Sequence, residues 1–228
     1  MPSPRPLVSF AIALALGVAA CNSQAGPVAE LPKPKVDLPA AQPGETRTAV
    51  FAGGCFWCTE SVFEHVKGVT DVVSGYAGGP KDLANYDASS TGRSGHAEAI
   101  KITYDASQVT YGQLLHVFFD VHEPTRLNAQ GPDSGPQYRS SIFYENDDQK
   151  RVAEAYIAQL TEAKVYDAPI VTKLEDLTQS GFYPAEEYHQ NYAFLNPKQN
   201  YICENVPKKI QKIKDHHPDL YVERTIKK

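Results

Sequence analysis

Methionine is almost missing from this chain. Of 228 residues only Met1 is one, so a product cut after residue 20 would carry no oxidisable thioether. No apolar run is long enough to cross a membrane as a helix: the longest, residues 7–20, falls short of the roughly 20 residues required. There is no second Cys-x-x-Cys and no His-x-x-x-His, so neither zinc nor any other bound metal is expected. No Rossmann fingerprint or P-loop is present, which argues against nucleotide chemistry. No long basic patch interleaved with aromatics occurs, so nucleic acid is not an expected partner. Internal repeats are also lacking. What remains is ordinary globular composition, 42% hydrophobic and 21% charged, enough for one core of substantial size.

The two ends differ from the middle. Arg5 precedes the apolar run, and the sequence then reads Leu16-Gly17-Val18-Ala19-Ala20-Cys21. This resembles the lipobox of bacterial lipoproteins, which implies a signal peptide over 1–20 and lipid on Cys21; the plainer alternative is a simple signal peptide cut at nearby alanines. Removal of residues 1–20 changes the formal charge from −5 to −6, because Arg5 is their only charged residue. Residues 21–45 hold five prolines and no hydrophobic periodicity, the composition of a disordered tether. Residues 207–228 carry seven Lys/Arg against three Asp/Glu and read as a basic tail, with Ile210, Ile213 and Leu220 as an apolar stripe for packing. The folded domain is therefore expected over 46–206.

Within it, strands and helices alternate. Residues 46–52, 69–76, 97–104 and 140–144 read as strands, with another near 170–174. Residues 57–66, 110–121 and 147–164 read as helices, with a short one near 185–192. The expected class is α+β, a two-layer sandwich around a mixed sheet. Two polar loops, 81–95 and 123–139, are long enough to suggest function.

Gly53-Gly54-Cys55-Phe56-Trp57-Cys58 lies between the first strand and the first helix. A cysteine at a helix start meets free N–H groups and the positive end of the helix dipole, which favour the nucleophilic thiolate. Phe56 and Trp57 can wall an apolar slot beside it. In the alternating strand 97–104, Glu98 shares a face with Ile100 and Ile102, an environment that would raise its pKa.

Five motifs then fall in order: Gly54-Cys55-Phe56-Trp57; Gly75-Tyr76-Ala77-Gly78-Gly79; the run from Thr91 to Glu98; the run from Gln130 to Ser140; and Tyr188-His189-Gln190-Asn191-Tyr192. Together, from about Thr48 to Pro197, they resemble the peptide-methionine (S)-S-oxide reductases. The resemblance implies Cys55 as nucleophile and Glu98 as general acid. It implies Tyr86 and Tyr138 as hydroxyls that hold the sulfoxide oxygen, Asp133 as a further site residue, and Phe56 and Trp57 as the wall that receives the substrate methyl. His96 and His189, also in the motifs, read as structural. No bound cofactor is implied; an external dithiol of thioredoxin type would restore the enzyme. A repair enzyme for methionine in an oxidising compartment would also gain from lacking methionine itself.

After one turnover Cys55 would carry a sulfenic acid that a second thiol must resolve. Many members of the family keep resolving cysteines in a glycine-rich C-terminal segment. This chain has no glycine there and one tail cysteine, Cys203, while Cys58 forms Cys-x-x-Cys with Cys55. Both are candidates, with Cys203 preferred. The sequence thus leads to a monomeric enzyme, lipid-anchored in a bacterial cell envelope, that reduces free or protein-bound methionine (S)-sulfoxide. A Cys-x-x-Cys thiol–disulfide oxidoreductase is the alternative, though it leaves Trp57, Glu98 and the loop tyrosines without a task. A non-catalytic envelope lipoprotein is a third reading.

Overall fold

The apolar run ahead of Cys55 does not alternate because its strand is covered on both faces. In the computed structural model, which describes Met1 and residues 31–224, β1 (Thr46–Gly53) is buried continuously from Ala49 onward. It is followed by α1 (Phe56–Phe63), β2 (Val69–Ala77), α2 (Tyr86–Ser90), β3 (Ala97–Asp105) and α3 (Tyr111–Val121). A two-residue pair, β4 (Ala129–Gln130) and β5 (Asp133–Ser134), precedes β6 (Ser140–Tyr144) and α4 (Asp147–Glu162). The chain ends through β7 (Lys173–Asp176), α5 (Leu177–Ser180), β8 (Phe182–Pro184), α6 (Tyr192–Leu195) and α7 (Asn200–His216).

Six strands form one mixed sheet in the order β7-β6-β1-β3-β2-β8, antiparallel except for the β6–β7 pair. The period of two sorts the side chains. Phe51, Ile100 and Ile102 join a large core with Leu114, Val117 and Phe118 of α3, Val152 and Tyr156 of α4, and Ile213 of α7. Val50, Ala52, Ala97, Ala99 and Phe143 point to the opposite face, where a smaller cluster is covered by Leu177 and Phe182. The fold is the α+β two-layer arrangement expected from the sequence.

Two boundaries read from the sequence are crossed. The expected tether is docked from Leu31 onward. The Leu31 carbonyl lies 3.0 Å from Nε2 of His116, Tyr156 donates to the Pro32 carbonyl at 3.0 Å, and Gln159 bonds Lys33 and Lys35 at 2.8 and 3.0 Å. Asp37 then caps α3, accepting from the Gly112 amide at 2.9 Å and from the Thr110 hydroxyl. A carboxylate on a helix N-terminus is favoured by the dipole and by the unpaired amides there. Residues 31–38 are thus a strap across α3 and α4, and residues 39–45 lead from it to β1; residues 2–30, which include Cys21 and the first part of the proposed tether, lie outside the described residues.

The second crossing is at 206/207. The α7 helix runs straight through it although Pro207 has no N–H for the Cys203 carbonyl. Its apolar face compensates: Ile202, Val206 and Ile213 are buried, and α7 packs against α1 and α3. Of the described tail residues, those from 217 to 224 lie outside a helix. Smaller differences concern element ends. The strand near 170–174 lies at Lys173–Asp176, and the helix near 185–192 is a 3-10 turn, Glu187–His189, followed by α6, with Asn191 between them at φ 57°. No helix among the described residues is long and apolar enough to cross a membrane.

Candidate active site

Cys55 is the residue from which α1 starts, with φ −51° and ψ 123°. Gly54 before it has φ 89°, and a Cβ there would come within 2.3 Å of Gln130, so glycine is demanded both by the turn and by the close approach of β4. Cys55 faces a cavity of about 200 Å³ lined also by Phe56, Trp57, Tyr86, Glu98, Asp133 and Tyr138. All the proposed nucleophile, acid, hydroxyl and wall residues therefore meet in one place. They arrive from separate elements: α1, β3, the start of α2, the β5 strand and the turn Pro136–Tyr138. The two long polar loops supply three of them.

The helix start is used differently from the sequence expectation. The side chain of Cys55 accepts nothing from the first turn of α1. Instead the Phe56 amide donates to Oε2 of Glu98 at 3.0 Å. Burial pushes the Cys55 thiol well up, and its hydrogen bond to Cys58 adds to that. At rest Cys55 is therefore a thiol: desolvation outweighs the helix dipole. Glu98, 4% exposed, is pushed up to about 8 by burial, opposed by the Phe56 amide. It holds a proton at neutral pH.

Around this pair the aromatic groups are fixed. Trp57 stacks on Tyr192 with centroids 3.9 Å apart and planes 13° from parallel. Its Nε1–H donates to Nδ1 of His189 at 3.1 Å. That bond leaves the other ring nitrogen of His189 to carry the proton, and burial keeps the imidazole neutral. His189 also packs on Phe56 and Tyr86, centroids 4.9 and 4.8 Å away. The buried ring of His96 bonds the Gly79 amide and the Pro80 carbonyl and does not line the cavity, as befits a structural residue. Burial raises the pKa of Tyr86 and Tyr138, so both present neutral hydroxyls.

The two candidate resolving thiols are placed very differently. Cys58 is 3% exposed and clusters with Cys55, Ile202 and Val206. Its hydrogen bond from Cys55 lowers its pKa against the burial that raises it, with Lys209 and Tyr201 helping. Cys203 is exposed on α7, its thiol donating to the Pro197 carbonyl at 3.1 Å. Cys55, Cys58 and Cys203 are all free.

Two residues of the site escaped the sequence reading: Tyr201 and Gln199 line the cavity from the start of α7. Away from the cavity, Glu60 of α1 is a second buried carboxyl, pushed up to about 8 by desolvation. Tyr201 stands two residues before Cys203, so the segment read as a tail around a thiol in fact delivers a phenol. Among the described residues no group of His, Cys, Asp and Glu is placed to hold a metal ion.

A family profile described as peptide methionine sulfoxide reductase matches residues 47–220. Among curated proteins, "Peptide methionine sulfoxide reductase MsrA 2" of Mesorhizobium japonicum is 58% identical over 187 residues, covering 82% of this chain and 94% of its own. A protein of the same description from Synechocystis is 47% identical over 192 residues, covering 83% and 89%. Among solved structures, Mxr1 of Saccharomyces cerevisiae in reduced form aligns with a TM-score of 0.60 at 32% identity, covering 69% of this chain and 90% of its own. Methionine sulfoxide reductase A of Corynebacterium diphtheriae aligns with a TM-score of 0.59, also at 32% identity, covering 70% and 79%.

Proposed function

This chain belongs to the peptide methionine sulfoxide reductase family, and from that premise we propose how its own residues reduce methionine (S)-sulfoxide to methionine. The observation that carries the mechanism is the buried, protonated Glu98 beside Cys55 in a cavity walled by Phe56 and Trp57. The substrate methyl enters between the two rings, and the oxygen faces Glu98, Tyr86 and Tyr138. Cys55 sulfur attacks the sulfoxide sulfur while Glu98 gives its proton to the oxygen. Methionine leaves with its sulfur reduced. The oxygen remains on Cys55 as a sulfenic acid, and the thiol proton of Cys55 restores Glu98. The opposite epimer would press its S–O group against the rings and leave the polar groups unpaired, a large penalty in a buried site. A thiol–disulfide oxidoreductase built on Cys55 and Cys58 is not favoured, since it gives the acid and the hydroxyls no work.

For regeneration the geometry supports Cys58 over Cys203. Cys58 shares a hydrogen bond with Cys55, whereas Cys203 would have to leave the outer side of α7. An external dithiol of thioredoxin type then reduces the disulfide. Cys55→Ser removes turnover entirely, read as sulfoxide-dependent consumption of dithiothreitol; retained turnover would end the assignment. Mass spectrometry after a single turnover without reductant identifies the linked pair. The lipobox-like run before Cys21 supports a protein held by lipid in a bacterial envelope. Labelled palmitate incorporated by the wild-type chain and lost in Cys21→Ser tests the anchor.

A further inference from the structure

The hydroxyl of Tyr201 sits between two partners that the reaction has so far used separately. It donates to Oδ2 of Asp133 at 2.5 Å and receives the Cys58 thiol at 3.9 Å. The ring is held in place by an edge contact on Trp57, centroids 6.2 Å apart at 75°. The result is a continuous chain from a thiol through a phenol to a carboxylate, ending in the cavity where the sulfenic oxygen is released.

We propose that Tyr201 is a catalytic residue of the disulfide-forming step, passing the thiol proton of Cys58 to Asp133 as Cys58 attacks. This rests on the reading of Cys58 as the resolving thiol. The step balances without an outside oxidant. Cys58 sulfur bonds to Cys55 sulfur and the S–O bond of the sulfenic acid breaks. The thiol proton moves to the Tyr201 oxygen as the Tyr201 proton moves to Asp133. Asp133 then hands a proton to the departing hydroxide, which leaves as water. Cys55 is reduced from sulfenic acid to disulfide, and Cys58 is oxidised from thiol to disulfide.

The surroundings suit a relay better than a standing base. Burial and the neighbouring sulfurs raise the pKa of Tyr201, so it does not ionise at rest and serves only to pass a proton. Burial also raises Asp133, which makes it a readier acceptor. The titratable groups facing this chain are the protonated Glu98 from β3, Asp133 itself and Lys209 from α7, whose charge favours the Cys58 thiolate. Glu123 and Lys212 lie next to Lys209.

The test is a rapid-quench single turnover of the whole protein with free methionine sulfoxide and no reductant, comparing wild type, Tyr201→Phe and Asp133→Asn. Released methionine, dimedone-trapped sulfenic acid and the Cys55–Cys58 disulfide are measured separately. In Tyr201→Phe, which keeps the ring packing, disulfide formation is expected to fall at least tenfold further than methionine release, with sulfenic acid accumulating. The deficit should shrink as pH rises from 6 to 9, because hydroxide then removes the thiol proton directly, and Asp133→Asn should share that pH dependence. Disulfide formation at the wild-type rate in Tyr201→Phe, or a deficit constant with pH, overturns the relay alone. A Cys55–Cys203 link in the wild-type protein overturns the relay and the choice of resolving thiol together.

Discussion

The two ends of α1 each hold a buried glutamate, and both are pushed up to about 8 by desolvation. At the N-terminal end Glu98 accepts the Phe56 amide and opens onto the cavity beside Cys55. Toward the other end Glu60 accepts the Asn191 amide at 3.0 Å. It is flanked there by Glu64, itself raised to about 7 by burial and paired with Arg224 at 2.6 Å. The guanidinium of Arg224 lies 4.2 Å over the Phe194 ring and closes that end. A raised carboxyl is therefore not in itself a catalyst. What separates the two is access: one proton can reach a substrate oxygen, and the other can only hold a loop.

The contrast can be broken experimentally. Glu98→Gln should lower turnover by about 10²-fold or more, the usual worth of a positioned general acid; Glu60→Gln should stay within about threefold of wild type. Equal losses in the two variants would erase the distinction. In wild type, methionine release should fall as pH rises through about 8, where Glu98 gives up its proton. That limb should vanish in Glu98→Gln and survive in Glu60→Gln.

Stability should treat the pair alike. Both folded-state values lie above the ordinary glutamate value of 4.5, so the native state keeps protons that the unfolded chain has lost. Stability is greatest below about 4.5 on account of these groups and falls as pH rises toward about 8. Either Gln variant should flatten this slope, gaining about 1–3 kcal/mol at pH 8 in urea unfolding. The smallest effect comes from outside both regions. Asp37→Ala, which uncaps α3, should cost about 1 kcal/mol and leave turnover unchanged.

Much of this was legible because its signals are local. The alternation in β3 placed Glu98 on the helix-facing side, and the apolar spacing of 110–121 marked α3, whose Thr110–Gln113 capping box fixes its start. The motif residues Cys55, Asp133 and Tyr138, and Tyr86 in the loop between two motifs, could be named without coordinates. The strap could not be read, since three of its ties use the carbonyls of Leu31, Pro32 and Lys33, and a carbonyl leaves no mark in a sequence. Tyr201 escaped because its partners at the site, Asp133 and Trp57, are far from it in sequence, and only the packed fold brings them together. The thiol state of Cys55 was misjudged for the same reason: the dipole belongs to the next few residues, but desolvation comes from the whole fold.

The strap also sets the path of mechanical load. A pull on the chain ahead of Leu31 is taken first by the bonds to His116, Tyr156 and Gln159 and by Asp37 on α3. The strand that leads to Cys55 begins only at Thr46, beyond these ties. Force applied ahead of Leu31 is thus shunted into two helices, and the turn that carries the reactive sulfur stays slack.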